Sequence, residues 1–143
     1  MTTSTYDSDF YLWTQQQATL LRQGHLQAVD LENIAEEIES MGKRDRRSIE
    51  SHLENVMMHL LKWQYQPQRQ SPSWQHSIWN GRRDVERLLR DSPSLKPLLV
   101  ALVRDEYPPA RKQAAKETGL SLSTFPEQCP FTLEQVIGDW WPE

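Results

Sequence analysis

The chain is poor in cysteine, glycine, long apolar runs and excess positive charge, and each shortage excludes something. Cys129 is the one cysteine among 143 residues. No intrachain disulfide is possible and no paired-cysteine zinc signature exists, which suits a reducing compartment. Five glycines are present, none of them in a phosphate-cradling loop or a nucleophile elbow. The longest aliphatic run, Leu98 to Val103, is far too short to span a bilayer. Met1 to Phe10 is polar and acidic and lacks the basic and apolar regions of a secretion signal. Lys and Arg number 16 against 20 Asp and Glu, for a net charge of -4. That argues against generic binding to nucleic acid or anionic membranes, while leaving room for a local basic patch. The expected location is the cytoplasm, and the expected form is a single helical domain over residues 1–143.

What is present is helical periodicity, with no sustained alternation of the kind strands show. The hydrophobic share is 37% and the mean hydropathy -0.75, both low, but six tryptophans supply large apolar area. Asp7, Ser8 or Asp9 caps a first helix from about Phe10 to Gln23, with Gly24 as its stop. Phe10, Trp13, Leu20 and Leu21 face inward, and Gln17 among them needs a hydrogen-bond partner if buried. Asp30 caps a second helix that ends at Gly42, with Leu31, Ile34, Ala35, Ile38 and Met41 as its apolar stripe. A third helix runs from about Lys43 to Gln66, where Pro67 stops it; its core face is Ile49, Leu53, Val56, Met57, Leu60, Leu61 and Trp63. With only Gly42 between them, these two helices are expected to form a central antiparallel hairpin.

Ser71-Pro72 reads as the start of a fourth helix reaching about Asp91, with Trp74, Ile78, Val85, Leu88 and Leu89 inside. Gly81 lies on the same face, where a missing side chain lets a neighbour approach closely. Ser92-Pro93 repeats the pattern for a fifth helix driven by Leu95, Leu98, Leu99 and Leu102, which Pro108 and Pro109 should break or kink. Ala110 to Thr118 resumes it and Gly119 ends it. After an irregular tail, Thr132-Leu133-Glu134-Gln135 matches a capping box for a last turn before Gly138. Trp140 and Trp141 are expected to anchor the tail over the core. The fold class is therefore all-α: one bundle of about five to seven helices with an irregular C-terminal tail.

Several stretches also carry a family likeness. Tyr6-Asp7-Ser8-Asp9-Phe10-Tyr11-Leu12-Trp13, Asp30 through Gly42, and Met58-His59-Leu60-Leu61-Lys62-Trp63-Gln64 resemble the bacterial family called domain of unknown function twenty-nine. Asp91-Ser92-Pro93-Ser94-Leu95, Glu117-Thr118-Gly119-Leu120 and Cys129 through Gln135 are similar to it too. The resemblance covers nearly the whole chain. It implies an all-α fold and a bacterial, mainly cyanobacterial, source; it implies no activity.

Four constellations have chemical potential. Lys43, Arg44, Arg46 and Arg47 place positive charge at the expected N-terminus of the third helix, against the macrodipole. Either an anion binds there, or Glu36, Glu37 and Glu39 across the Gly42 turn neutralise it. Arg47-Ser48-Ile49-Glu50-Ser51-His52 resembles the Arg–His motif of HEPN-type ribonucleases, in which an imidazole beside a fixed cation suits phosphodiester cleavage. The wider sequence does not look like that family. His52 and His59, seven residues apart, could meet Glu36 or Glu39 in a metal site, though compact metal-binding spacings are absent; the bland alternative is a pair of hydrogen-bonded histidines at the core rim. Trp79, Arg83, Arg87 and Arg90 share the outer face of the fourth helix, a composition found at binding hot spots and in patches that stack single-stranded nucleic acid. Its bland counterpart is a Trp79–Arg83 cation–π pair or cover by another helix.

Taken together, the residues favour a non-enzymatic protein-interaction or accessory module, with no cofactor and an unidentified protein partner. Self-association is open, and neither nucleic acid nor membrane is favoured. The alternative is a metal-dependent or ribonuclease-like enzyme using His52 and His59 with Arg46 and Arg47.

Overall fold

The computed structural model describes residues 5–143; residues 1–4, the start of the polar N-terminal stretch, lie outside the described residues. The described chain is all-α, without strands: α1 (Thr5–Ser8), α2 (Phe10–Arg22), α3 (Leu31–Tyr65), α4 (Pro72–Asp91), α5 (Leu99–Thr118) and α6 (Leu133–Ile137). Short 3-10 turns occupy Pro67–Arg69, Pro93–Leu98 and Leu122–Thr124. Two compact units divide it, Met1–Arg44 and Asp45–Glu143, and α3 contributes to both. Among the described residues no helix is long and apolar enough to cross a membrane.

The first unit is organised around one tryptophan. Asp9 caps α2, its carboxylate accepting from the Leu12 N–H at 3.0 Å. Gly24, at φ +75°, ends that helix in a Schellman turn: its N–H bonds Leu21 O and the His25 N–H bonds Leu20 O. Trp13 is buried beneath the rings of Tyr6 and Phe10, at centroid distances of 4.8 and 5.6 Å. Its indole N–H donates to Asp30 Oδ2 at 3.2 Å. Asp30 also caps α3, accepting from Asn33. The polar residue on the inner face of α2 has its partner: Gln17 Oε1 accepts the Asp30 N–H at 2.7 Å. Around this cluster, however, Phe10, Leu21, Leu31, Ile38 and Met41 are exposed rather than inward.

The hairpin expected at Gly42 does not form. The chain passes through Gly42 as uninterrupted helix, because a single interior glycine costs only about 1 kcal/mol against alanine. The basic run therefore lies in the middle of α3, not at a helix N-terminus. With no reversal at Gly42, Glu36, Glu37 and Glu39 do not face that run across a turn as expected.

The second unit holds the hydrophobic core. Ile49, Leu53, Val56, Met57, Leu60 and Leu61 of α3 pack with Ile78 and Val85 of α4 and with Leu99, Leu102, Val103, Tyr107, Ala110 and Ala114 of α5. Phe125, Phe131 and Val136 from the C-terminal segment complete it. Each large aliphatic side chain so buried stabilises the fold by about 1.5–3 kcal/mol.

Two proline effects differ from expectation. Pro93–Leu98 is a 3-10 turn rather than the first turn of α5, since Pro97 lacks the N–H that an α-helix would use there. Pro108 and Pro109 do not break α5. The carbonyls they leave without helical donors belong to the exposed residues Arg104 and Asp105, on the outer side of the helix. At the C-terminus, Thr132 and Gln135 form the anticipated capping box, with bonds of 3.2 and 2.9 Å.

Candidate docking face

The outer face of α4 is set by its first residues and its period. Ser71 caps the helix by accepting from the Trp74 N–H, and Pro72 takes the first helical position, where no N–H is needed. At about 100° per residue, Ile78, Gly81 and Val85 turn inward while Trp79, Arg83, Arg87 and Arg90 fall within an arc of about 80° on the other side. All four are exposed, and Trp79 retains 53% of its accessible surface.

Among the described residues no cation–π pair joins Trp79 to Arg83, and no helix covers the stripe. Instead the C-terminal tail brings Trp141 edge-on to Trp79, with ring centroids 6.2 Å apart at 89°. Trp141 leans on Trp63 from its other side at 5.0 Å. A cleft of about 270 Å³ opens there, lined by Trp79, Arg82, Arg83, Glu86, Ile137, Gly138, Asp139 and Trp141. Among the described residues, Arg83 and Arg87 have no ion-pair or hydrogen-bond partner, and Arg90 reaches only the equally exposed Glu86, at 3.5 Å.

The floor of this cleft is held by a residue that sequence reasoning passed over. Arg82 is buried and donates to three backbone carbonyls: Nε to Val136 O at 2.8 Å, and Nη2 to Gln135 O at 2.8 Å and Trp140 O at 2.6 Å. Its remaining nitrogen, Nη1, is buried without a hydrogen bond, and the guanidinium carbon lies 5.4 Å from the Trp141 ring centroid. Burial pulls the Arg82 pKa down, and the nearby Asp139 carboxylate opposes that shift. The signal was available: an arginine sits about 40° around the helix from Ile78, at the edge of the apolar face.

The other candidate groups are dispersed. Arg46 pairs with Glu50, one turn on, at 3.3 Å. Arg47 is exposed, and on a regular helix it stands about 140° around α3 from His52. His52 Nε2 faces Asp84 on α4 at 3.8 Å. His59 is buried at the core rim with Nδ1 donating to Asn55 O at 2.8 Å; burial pushes its pKa below the usual imidazole value. Glu36 and Glu39 are exposed. Among the described residues no three His, Cys, Asp or Glu side chains gather as a metal would require.

A second feature that sequence reasoning missed is Lys62, which is buried, pairs with Glu117 at 3.1 Å and stacks its ammonium 4.8 Å from the Trp74 centroid. A larger groove of about 430 Å³ runs between α5 and residues 128–134, with Val100, Val103, Phe131 and Leu133 as its apolar walls. Cys129 lies at its edge, half-buried, its thiol pKa raised by burial.

No curated protein and no solved structure matches the chain. A family profile does, over residues 5–141, nearly its full length, and it contains every helix described above. The chain belongs to the family described as Domain of unknown function DUF29.

Proposed function

We propose that the chain is a non-catalytic protein-interaction module whose docking surface is the outer face of α4, and that the partner presents an acidic segment with an apolar anchor. The observation that carries this reading is the half-exposed Trp79 indole, held against Trp141 beside Arg83 and Arg87, two arginines without partners among the described residues. Tryptophan and arginine dominate the energetics of protein interfaces, and a Trp already braced by a second ring loses little freedom on binding. Three guanidinium groups on one stripe of a chain with net charge -4 form a local positive feature that favours carboxylates. Glu86 and Asp139 in the same cleft interrupt the positive stripe, which suits a few spaced carboxylates beside an apolar anchor better than a continuous run of phosphates and favours a protein partner over nucleic acid. A bacterial, cyanobacterial cytoplasm accords with this reading, the lone Cys129 being suited to a reducing compartment.

The test is comparative co-purification from the organism that encodes the chain, using the natural protein, Trp79→Ala and the double variant Arg83→Glu/Arg87→Glu. One protein should co-purify with the natural chain and be depleted about tenfold or more by both variants, whose helicity stays unchanged. Equal recovery with all three chains overturns the assignment of this face.

A further inference from the structure

We propose that the first unit self-associates: the exposed Ile38 and Met41 of α3 are covered by the same residues of a second copy, with the two helices antiparallel about a two-fold axis close to Ser40. Within residues 5–44, Trp13 is the one buried hydrophobic side chain. Leu31, Ile38 and Met41 are 67%, 60% and 51% exposed, on one side of a helix whose continuation of that same face, from Ile49 to Leu60, is buried core. A unit of this size with a single buried apolar residue has too little core of its own, and a stripe of large aliphatic side chains in water calls for a cover.

The charges on α3 identify the cover as a second copy. Glu32, Glu36, Glu37 and Glu39 precede Ser40, and Lys43, Arg44, Arg46 and Arg47 follow it, with Asp45 as the one acid among them. Among the described residues, Tyr6 donates to Glu37, while Glu32, Glu36, Glu39, Lys43 and Arg44 make no ion pair or hydrogen bond. A parallel copy would set carboxylate against carboxylate. An antiparallel copy sets the acidic half against the basic half twice over, as an isologous interface requires. Glu39 and Lys43 lie on the same flank of the stripe, so Glu39 of each copy meets Lys43 of the other. Gly42 lies on the stripe itself, with nothing within 4 Å of where a Cβ would stand, which leaves a slot for Ile38 of the second copy.

Sedimentation equilibrium of the full chain across micromolar concentrations tests this. The natural protein should show twice the chain mass, and Ile38→Glu should raise the dimer dissociation constant about tenfold or more. Because Ile38 is exposed, the variant should keep its helicity, read by circular dichroism. Two further chains test the antiparallel register. Glu39→Lys alone should weaken association, and Glu39→Lys/Lys43→Glu should restore it, since the pair is then reversed in both copies. A natural chain that stays monomeric, an Ile38→Glu chain that dimerises as before, or a double exchange that restores nothing each overturns the proposal.

Discussion

Gly81 on α4 lies so close to Val56 on α3 that a Cβ on the glycine would run into the Val56 Cγ2 methyl. The Val56 side chain is buried and β-branched, so it has no alternative rotamer into which to retreat. Gly81→Ala should therefore destabilise the protein by about 1–2 kcal/mol, overpacking outweighing the gain in helix propensity. Urea unfolding measures it, and Gly81→Ala/Val56→Ala should cost less than the two single changes added together.

Arg82 ties the C-terminal segment to α4 through three carbonyls. Arg82→Ala leaves those carbonyls without their donor and should cost about 2–4 kcal/mol. Arg82→Lys keeps the charge but not the fork, and should recover less than half of that loss. Limited proteolysis should show residues 135–141 cleaved first in both variants. A melting temperature unchanged in Arg82→Ala would show that these bonds contribute little.

Acid should weaken the fold in two stages. Burial holds the His59 pKa below its ordinary 6.5, so the unfolded chain takes up that proton first and stability falls as pH drops below about 6.5. Glu117 is held below its ordinary 4.5 by Gln113 and Lys62, so its contribution is present above that value and is lost as pH falls through the depressed one. Urea unfolding from pH 7.5 to 3.5 should show both stages. His59→Gln should abolish the upper stage and leave the lower.

Much of this architecture was legible because its signals are local. Asp9, Gly24, Ser71 and the Thr132–Gln135 pair act within a turn of their own position, and each does what its residue type suggests. Gly81 was readable as a close approach because its neighbours on the helix face, Ile78 and Val85, are apolar. Gly42 misled because a glycine between two periodic stretches looks the same whether the chain turns or continues; without positive φ it is only a weak helix residue. The α4 stripe was legible as a face, but its pairing with Trp141 was not, since 62 residues and two further helices separate the rings in sequence. Arg82 was obscured for the same reason: its three acceptors lie 53 to 58 residues away.

The most direct measurement of the docking assignment is site-specific photo-crosslinking in the native host. A photoreactive benzoylphenylalanine is placed in the full chain at Arg87, on the stripe, or at Lys112, exposed on α5. The account predicts one discrete adduct from position 87, absent from position 112 and lost when Trp79→Ala is added to the same chain. No adduct from position 87, or the same adduct from both positions, would contradict it.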